Sequence, residues 1–370
     1  MDWDTTYLMV MFYGNLVILV LVASTFLKQN YKNILTIFSI TILALIISLR
    51  DSKVALDTPN YVELFLRNDE SFFNQQYIYE TGFIYINKII YLYTDNYHLL
   101  FFFITFTHLF IILLLYKKLS NKFFSLLLAM YISTFVFWLS NLSMLRQGLA
   151  IPIIALAIFY LVFKDNKKIF FLLSIIAINI HFSSLFISIF IYVCYYVYKK
   201  LKISVLKIFL FVFIFLVLYP KNIFIYAILK GFSLFPQYAH SSYILNKVIW
   251  YFEWNKLQLW HIKHVYFLII LLFIMAGIIE KNKKYLLLLL IPTSLIGVFK
   301  YDEMVTDRLF MYFVPLIPII IFRVILRVGM KNYGVIMILL LTLGILVWFN
   351  IKLIYIQYPG WFIYPYSKVR

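Results

Sequence analysis

The chain reads as all-α: a polytopic integral membrane protein of about 12 transmembrane helices, each built on an apolar run of roughly 20 residues. Three observations carry that reading. Hydrophobic residues make up 64% of the 370 residues and charged residues 13%, against about 25% charged in a soluble domain. Apolar runs long enough to cross a hydrocarbon core of about 30 Å recur from end to end. The basic residues gather in alternate loops, the positive-inside pattern of helical membrane proteins. Long charge-free runs exclude a β-barrel, whose strands are short alternating segments.

The expected spans are 7–27, 33–49, 98–116, 123–143, 148–163, 169–180, 184–198, 203–219, 265–279, 285–299, 308–326 and 333–349. Basic clusters at 28–32, 117–122, 164–168, 199–207, 281–284 and 323–331 are expected on the cytoplasmic side. That places both termini outside, with 50–97, 144–147, 181–183, 220–264, 300–307 and 350–370. The first run, 7–27, has no basic segment before it and no small-residue cleavage site after it, so it reads as a retained span. The whole chain, 1–370, is expected to be one polytopic domain, with the long outer loops 50–97 and 220–264 as parts of it. The net charge of +18 does not point to nucleic acid, because its loops lie on opposite sides of a membrane. The single cysteine, Cys194, excludes an internal disulfide and a cysteine-based zinc site.

Both long outer loops are rich in aromatic residues. The stretch "YIYETGFIYINKIIYLY" is expected to lie along the membrane surface or to dip into it. "IWYFEWNKLQLWHIKH" in the second loop is either an interfacial aromatic belt or a stacking surface for a sugar.

Polar groups in apolar surroundings mark the candidate site. Arg146 is the only charged residue between Leu126 and Phe163 and is expected in a tight outer connection between two spans. An arginine at a helix centre costs roughly 2.5–3.5 kcal/mol. Arg146 either snorkels to the outer headgroups or lines an anion-binding outward cavity. Gln147 beside it favours a polar pocket, and Gly148 and Pro152 allow the next helix to bend around one. His181 lies in a run, 169–198, between two basic loops. The run must cross twice, in arms of about 12–15 residues, or about 18–23 Å. The turn around Asn179, His181, Ser183 and Ser184 then lies at a depth where backbone is buried in protein or faces a water-filled cavity. His181 is a candidate general base there, or a core histidine capping the break.

At a third place, "FKYDEMVTDRLFMYFVP", Asp302, Glu303, Asp307 and Arg308 stand at the outer mouth of a span, with Tyr312 one turn inside. They form a surface ion pair, or a second cation for a phosphate with carboxylates for sugar hydroxyls. Asp57 and Tyr61 begin an expected outer helix with Pro59 in its first turn; Asp57 caps that helix or binds substrate. Glu63 and Glu80 complete the candidates. The D-x-D of Asp2 and Asp4 sits on an untethered terminus and is set aside. The chain has no Gly-rich phosphate loop, H-E-x-x-H or G-x-S-x-G.

In chain order, D-T-P-N-Y (57–61), E-T-G-F (80–83), L-R-Q-G-L-A (145–150), I-H-F-S-S-L (180–185) and D-R-L-F-M-Y (307–312) resemble the EpsG family of Wzy-like bacterial polysaccharide polymerases. The resemblance covers roughly residues 35–350. It implies a GT-C-like membrane enzyme making O-antigen, capsule or exopolysaccharide. Such an enzyme transfers a glycan from undecaprenyl pyrophosphate to the sugar of a lipid-linked repeat unit, on the outer face of the bacterial inner membrane. It needs neither nucleotide sugar nor metal, and a chain-length regulator protein is a conceivable partner. Under that implication Arg146 and Arg308 clamp the pyrophosphate. His181 is the first choice of base, with Asp57, Glu80 and Glu303 as rivals. A lipid-linked oligosaccharide flippase and an O-antigen ligase are the alternatives. The polar intramembrane residues gather towards the outside, where a flippase would need them on both faces.

Overall fold

The computed structural model describes residues 3–52, 54–55, 57–67, 80–201, 284–285, 288, 308–327 and 344. Those residues are helical or irregular, with no strand among them. The expected spans 203–219 and 265–279, nearly all of 285–299 and 333–349, and the loop 220–264 lie outside them. Residues Met1–Phe190 with Val314–Arg370 group into one unit, and Ile191–Phe313 into another. The described residues of the first unit are mostly helical.

Its helices are α1 (Trp3–Ser24), α2 (Gln29–Ser48), α3 (Thr58–Leu66), α4 (Thr81–Tyr91), α5 (Tyr97–Leu119), α6 (Phe124–Ile132), α7 (Phe135–Leu142), α8 (Leu145–Lys164), α9 (Lys167–Ile180) and α10 (Ser183–Leu201), which runs on past Phe190. A 3₁₀ turn, Met311–Leu316, leads into α11, Ile317–Arg327. Among the described residues, α2, α5 and α8 are long and apolar enough to cross a membrane; counting the bent pair α6–α7 as one span raises the number to 4. The protein is therefore a helical membrane protein.

Polar residues set the ends of these helices. The Asn96 side chain accepts from the His98 N–H and starts α5. Asp165 takes a left-handed conformation (φ 51°) and ends α8, after which Asn166 caps α9 through the Ile169 N–H at 3.0 Å. Helix α8 is the centre of the bundle and packs on α5, α7 and α9. Its face carries Ala150, Ile154, Ala157 and Ile158, all fully buried. Small residues at such spacing let membrane helices approach closely.

Two expected spans are broken. Run 123–143 is two short helices bent by 69°. The cause is local: the Ser133 hydroxyl donates to the Ala129 carbonyl (2.7 Å) and the Thr134 hydroxyl to the Tyr131 carbonyl (2.7 Å), while the Thr134 oxygen caps α7 through the Phe137 N–H. Run 308–326 is divided between the 3₁₀ turn, which contains Pro315, and α11. Pro315 has no N–H to donate, and its carbonyl accepts from the Tyr116 hydroxyl at 2.7 Å.

Candidate functional site

Helix α3 forms as expected, with Pro59 in its first turn. Asp57 holds the N-cap position without a side-chain capping bond, so capping does not account for its carboxylate. The Thr58 hydroxyl donates to the Leu142 carbonyl at 2.9 Å, tying the start of α3 to the end of α7. One turn later, buried Tyr61 packs edge-on against Phe83 of α4, with ring centroids 5.6 Å apart. Phe65 and Tyr91 repeat that contact two turns up α4. Helices α3 and α4 are thus joined by aromatic pairs, and Glu80 stands at the entry to α4.

Glu80 is the N-cap residue of α4, yet its side chain does not cap that helix. It reaches across to the break between α9 and α10. Oε1 accepts from His181 Nδ1 at 3.0 Å and from the Phe182 N–H at 2.9 Å. Oε2 accepts from Arg146 Nη1 at 2.6 Å. The break falls at His181 and Phe182, between Ile180 and Ser183, where the sequence places it. All three side chains are only partly open to solvent, at 21% for Arg146, 17% for Glu80 and 16% for His181. Burial raises the Glu80 pKa, but the His181 hydrogen bond, the Arg146 charge and the Phe182 N–H outweigh it and hold the carboxyl down at about 2. Glu80 is therefore an ionised acceptor, and His181 Nδ1 carries the hydrogen.

Arg146 belongs to the first turn of α8, not to the connection before it. The helix begins earlier than expected because the Met144 carbonyl accepts the Gly148 N–H. A cation in the first turn opposes the helix dipole. The Glu80 carboxylate offsets that, and the Tyr61 hydroxyl is also in hydrogen-bonding contact with the guanidinium. Burial raises the Tyr61 pKa, so the phenol stays neutral. Gln147, the next residue, is buried at 3% exposure.

The glycines of the two motifs make this convergence sterically possible. A Cβ on Gly82 would lie 2.7 Å from the Asn179 carbonyl oxygen, so the start of α4 seats directly on the end of α9, two residues before His181. A Cβ on Gly148 would overlap the Ser140 carbonyl of α7. In E-T-G and R-Q-G alike, the side chain that enters the cluster is followed two residues later by the glycine that lets its helix dock.

Tyr61, Glu80, Arg146 and His181 are brought into one site, with Asp57 close enough to act on Tyr61 electrostatically. Arg308 and buried Tyr312 belong to the second unit. Glu303 and Asp307 lie outside the described residues. Among the described residues, no group of three or more His, Cys, Asp or Glu could hold a metal ion.

Two polar residues escaped the sequence reading. Arg50 is fully buried just beyond α2; Nη1 donates to the Ile47 carbonyl at 2.9 Å, Nη2 approaches the Leu142 carbonyl at 3.4 Å, and the group stacks 4.0 Å over the Phe101 ring. Burial lowers its pKa to about 9, which leaves it charged at neutral pH. Its counter-charges are two helix C-termini and an aromatic face. Only its place at the edge of a loop could have flagged it. His108, in the middle of α5, is fully buried and hydrogen-bonds the Tyr131 hydroxyl at 2.7 Å. An ionisable residue inside an apolar span was a visible signal.

A search of curated proteins and a search of solved structures each gave no match. The family model described as "EpsG family" matches residues 33–367, almost the entire chain and every motif quoted above. With that coverage, and with the motif side chains of its first four segments meeting in one place, the chain belongs to the EpsG family, which is linked to polysaccharide polymerisation.

Proposed function

We propose that the protein is a polysaccharide polymerase that transfers a glycan from undecaprenyl pyrophosphate to the sugar of a lipid-linked repeat unit at the outer face of the cytoplasmic membrane. The observation that carries this reading is the Arg146–Glu80–His181 cluster at the first turn of α8. A helix N-terminus offers unpaired N–H groups to an anion, and a guanidinium adds a planar fork matched to phosphate oxygens. An anionic head group at this place keeps its isoprenoid tail in the lipid.

The reaction needs a base and a stabilised leaving group. The acceptor hydroxyl oxygen attacks the anomeric carbon of the donor glycan. The bond from that carbon to the pyrophosphate oxygen breaks, and the lipid pyrophosphate leaves with the electron pair. Arg146 stabilises its charge, and Arg308 is a candidate phosphate-binding cation on its sequence motif alone. Glu80 holds the Nδ1–H of His181, which makes Nε2 the basic nitrogen that takes the hydroxyl proton. Glu80 is thus an orienting group for His181 and Arg146, in preference to a base of its own. Asp57, Tyr61, Gln147, Glu303, Asp307 and Tyr312 are assigned to the sugar and the head group. The charge for the leaving group comes from arginine, so no metal is called for.

Deletion of the gene tests the step. Loss of long chains, with single repeat units still reaching the outer face, supports the polymerase. Units trapped on the cytoplasmic face would replace it with a flippase.

A further inference from the structure

Arg50 is a fully buried arginine just past the end of α2, and among the described residues its partners are carbonyls and a ring. Nη1 donates to the Ile47 carbonyl at 2.9 Å and Nη2 to the Leu142 carbonyl at 3.4 Å, with the guanidinium 4.0 Å over the Phe101 ring. A helix leaves its last four carbonyls without an internal donor. Ile47 of α2 and Leu142 of α7 carry two of these. One side chain thus bridges the C-termini of two helices. The planar fork of arginine serves both at once, where an ammonium is a single point.

The Leu142 carbonyl has a second donor. The fully buried Thr58 hydroxyl, at the start of α3, lies 2.9 Å from it. Leu142 also stands four residues before Arg146, and the chain between them has no slack. The N–H groups of Ser143 and Met144 both bond to the Leu139 carbonyl at 3.0 Å, and the Met144 carbonyl accepts from the Gly148 N–H at 2.7 Å. Gly148 is itself seated against the Ser140 carbonyl. The end of α7 and the first turn of α8 therefore form one stiff corner. From that corner Arg146 Nη1 reaches Glu80 Oε2 at 2.6 Å. The Leu142 carbonyl is where the corner is tied to α2, through Arg50, and to α3, through Thr58.

We propose that Arg50 is a positioning residue for Arg146: together with Thr58 it holds the Leu142 carbonyl, and so sets the α7–α8 corner from which Arg146 enters the site. The inference rests on Arg146 being the cation that meets the substrate. Thr58 supplies the shorter bond, and the guanidinium adds charge and a second helix to the same acceptor. A shift of the corner moves Arg146 with it, because the joint of Ser143 and Met144 cannot absorb the displacement.

Epistasis tests this with the full-length protein in proteoliposomes supplied with its lipid-linked repeat unit. Arg50→Met keeps an apolar stem and removes the fork. It should lower kcat by on the order of 100-fold, the cost of a misplaced charged group. In an Arg146→Lys background the fork that the corner aims is already gone, so Arg50→Met should cost less than about tenfold further. Equal losses in the two backgrounds overturn the proposal, because a residue needed only for stability weakens both alike. Full activity in Arg50→Met overturns it too. Should Arg50→Met fail to accumulate, Thr58→Val carries the same comparison, since it removes one hydroxyl from the same carbonyl. A loss that shrinks in the Arg146→Lys background supports the corner, and an equal one overturns it. If wild-type protein makes no polymer, the polymerase reading fails by itself. Hydrogen exchange then decides this inference. Protection lost over residues 142–148 in Arg50→Met and kept over 155–164 supports it. Unchanged protection, or loss along the whole of α8, overturns it.

Discussion

Arg146 is a charge in an apolar run because Glu80 and Tyr61 meet it there and because an anionic head group is proposed to complete the site. Lysine keeps the charge but loses the planar fork. Arg146→Lys should therefore lower polymer formation by on the order of 100-fold, the cost of removing one donor from a charge-stabilising site, with protein abundance near normal. Lysine snorkels as well as arginine, so wild-type chain length in that variant would return Arg146 to a lipid-facing role. Glu80 has a pH signature of its own. Its folded pKa of about 2 lies below its ordinary value of 4.5, so its stabilisation is complete above 4.5 and is lost as pH falls towards 2. In the otherwise unchanged protein, the melting-temperature loss on Glu80→Gln should be full above about pH 4.5 and should shrink as pH falls towards 2. A loss that stays constant across that window contradicts a carboxylate held down by His181 and Arg146.

At the scale of the element, two helices owe their seats to missing side chains. Gly82→Ala puts a methyl group against the Asn179 backbone and pushes the start of α4 off α9. Glu80 would then lose its reach to His181. Activity should fall about 100-fold, as for displacement of a reacting group by about 1 Å. Gly148→Ala meets a backbone carbonyl that cannot rotate away. It should cost about 1–3 kcal/mol of stability, as overpacking does, seen as a lower melting temperature in detergent. Gly344 has nothing within 4 Å of an added Cβ, so Gly344→Ala is the control and should be neutral in both assays.

Across the whole molecule, the alternation of basic loops makes a topological prediction. Reporters fused after Lys118 and Lys168 should read cytoplasm, and one fused after Asn68 should read the outside. The break at His181 depends on this, because α9 starts beside the basic pair Lys167 and Lys168. An external reading at Lys168 would place His181 on the wrong face and remove it from the Arg146 site.

The sequence by itself determined the membrane class, most helix ends among the described residues, the break at His181 and the residues worth testing. Each is local: apolar length, loop charge, a proline in a first turn, a histidine where lipid should be. It also carried the family, because five motifs in order are a linear signal. It did not pair Glu80 with anything. Glu80 and His181 are 101 residues apart, and Glu80 and Arg146 are 66 apart. Which side chains meet depends on how helices rotate and dock, and here that was decided by Gly82 on Asn179 and Gly148 on Ser140. The 69° bend between α6 and α7 was equally hidden, because serine and threonine break a helix only when their hydroxyls turn to the backbone. Arg50 and His108 lacked a reading for the same reason. Their partners are mostly backbone carbonyls and aromatic faces, which no motif encodes and only packing supplies.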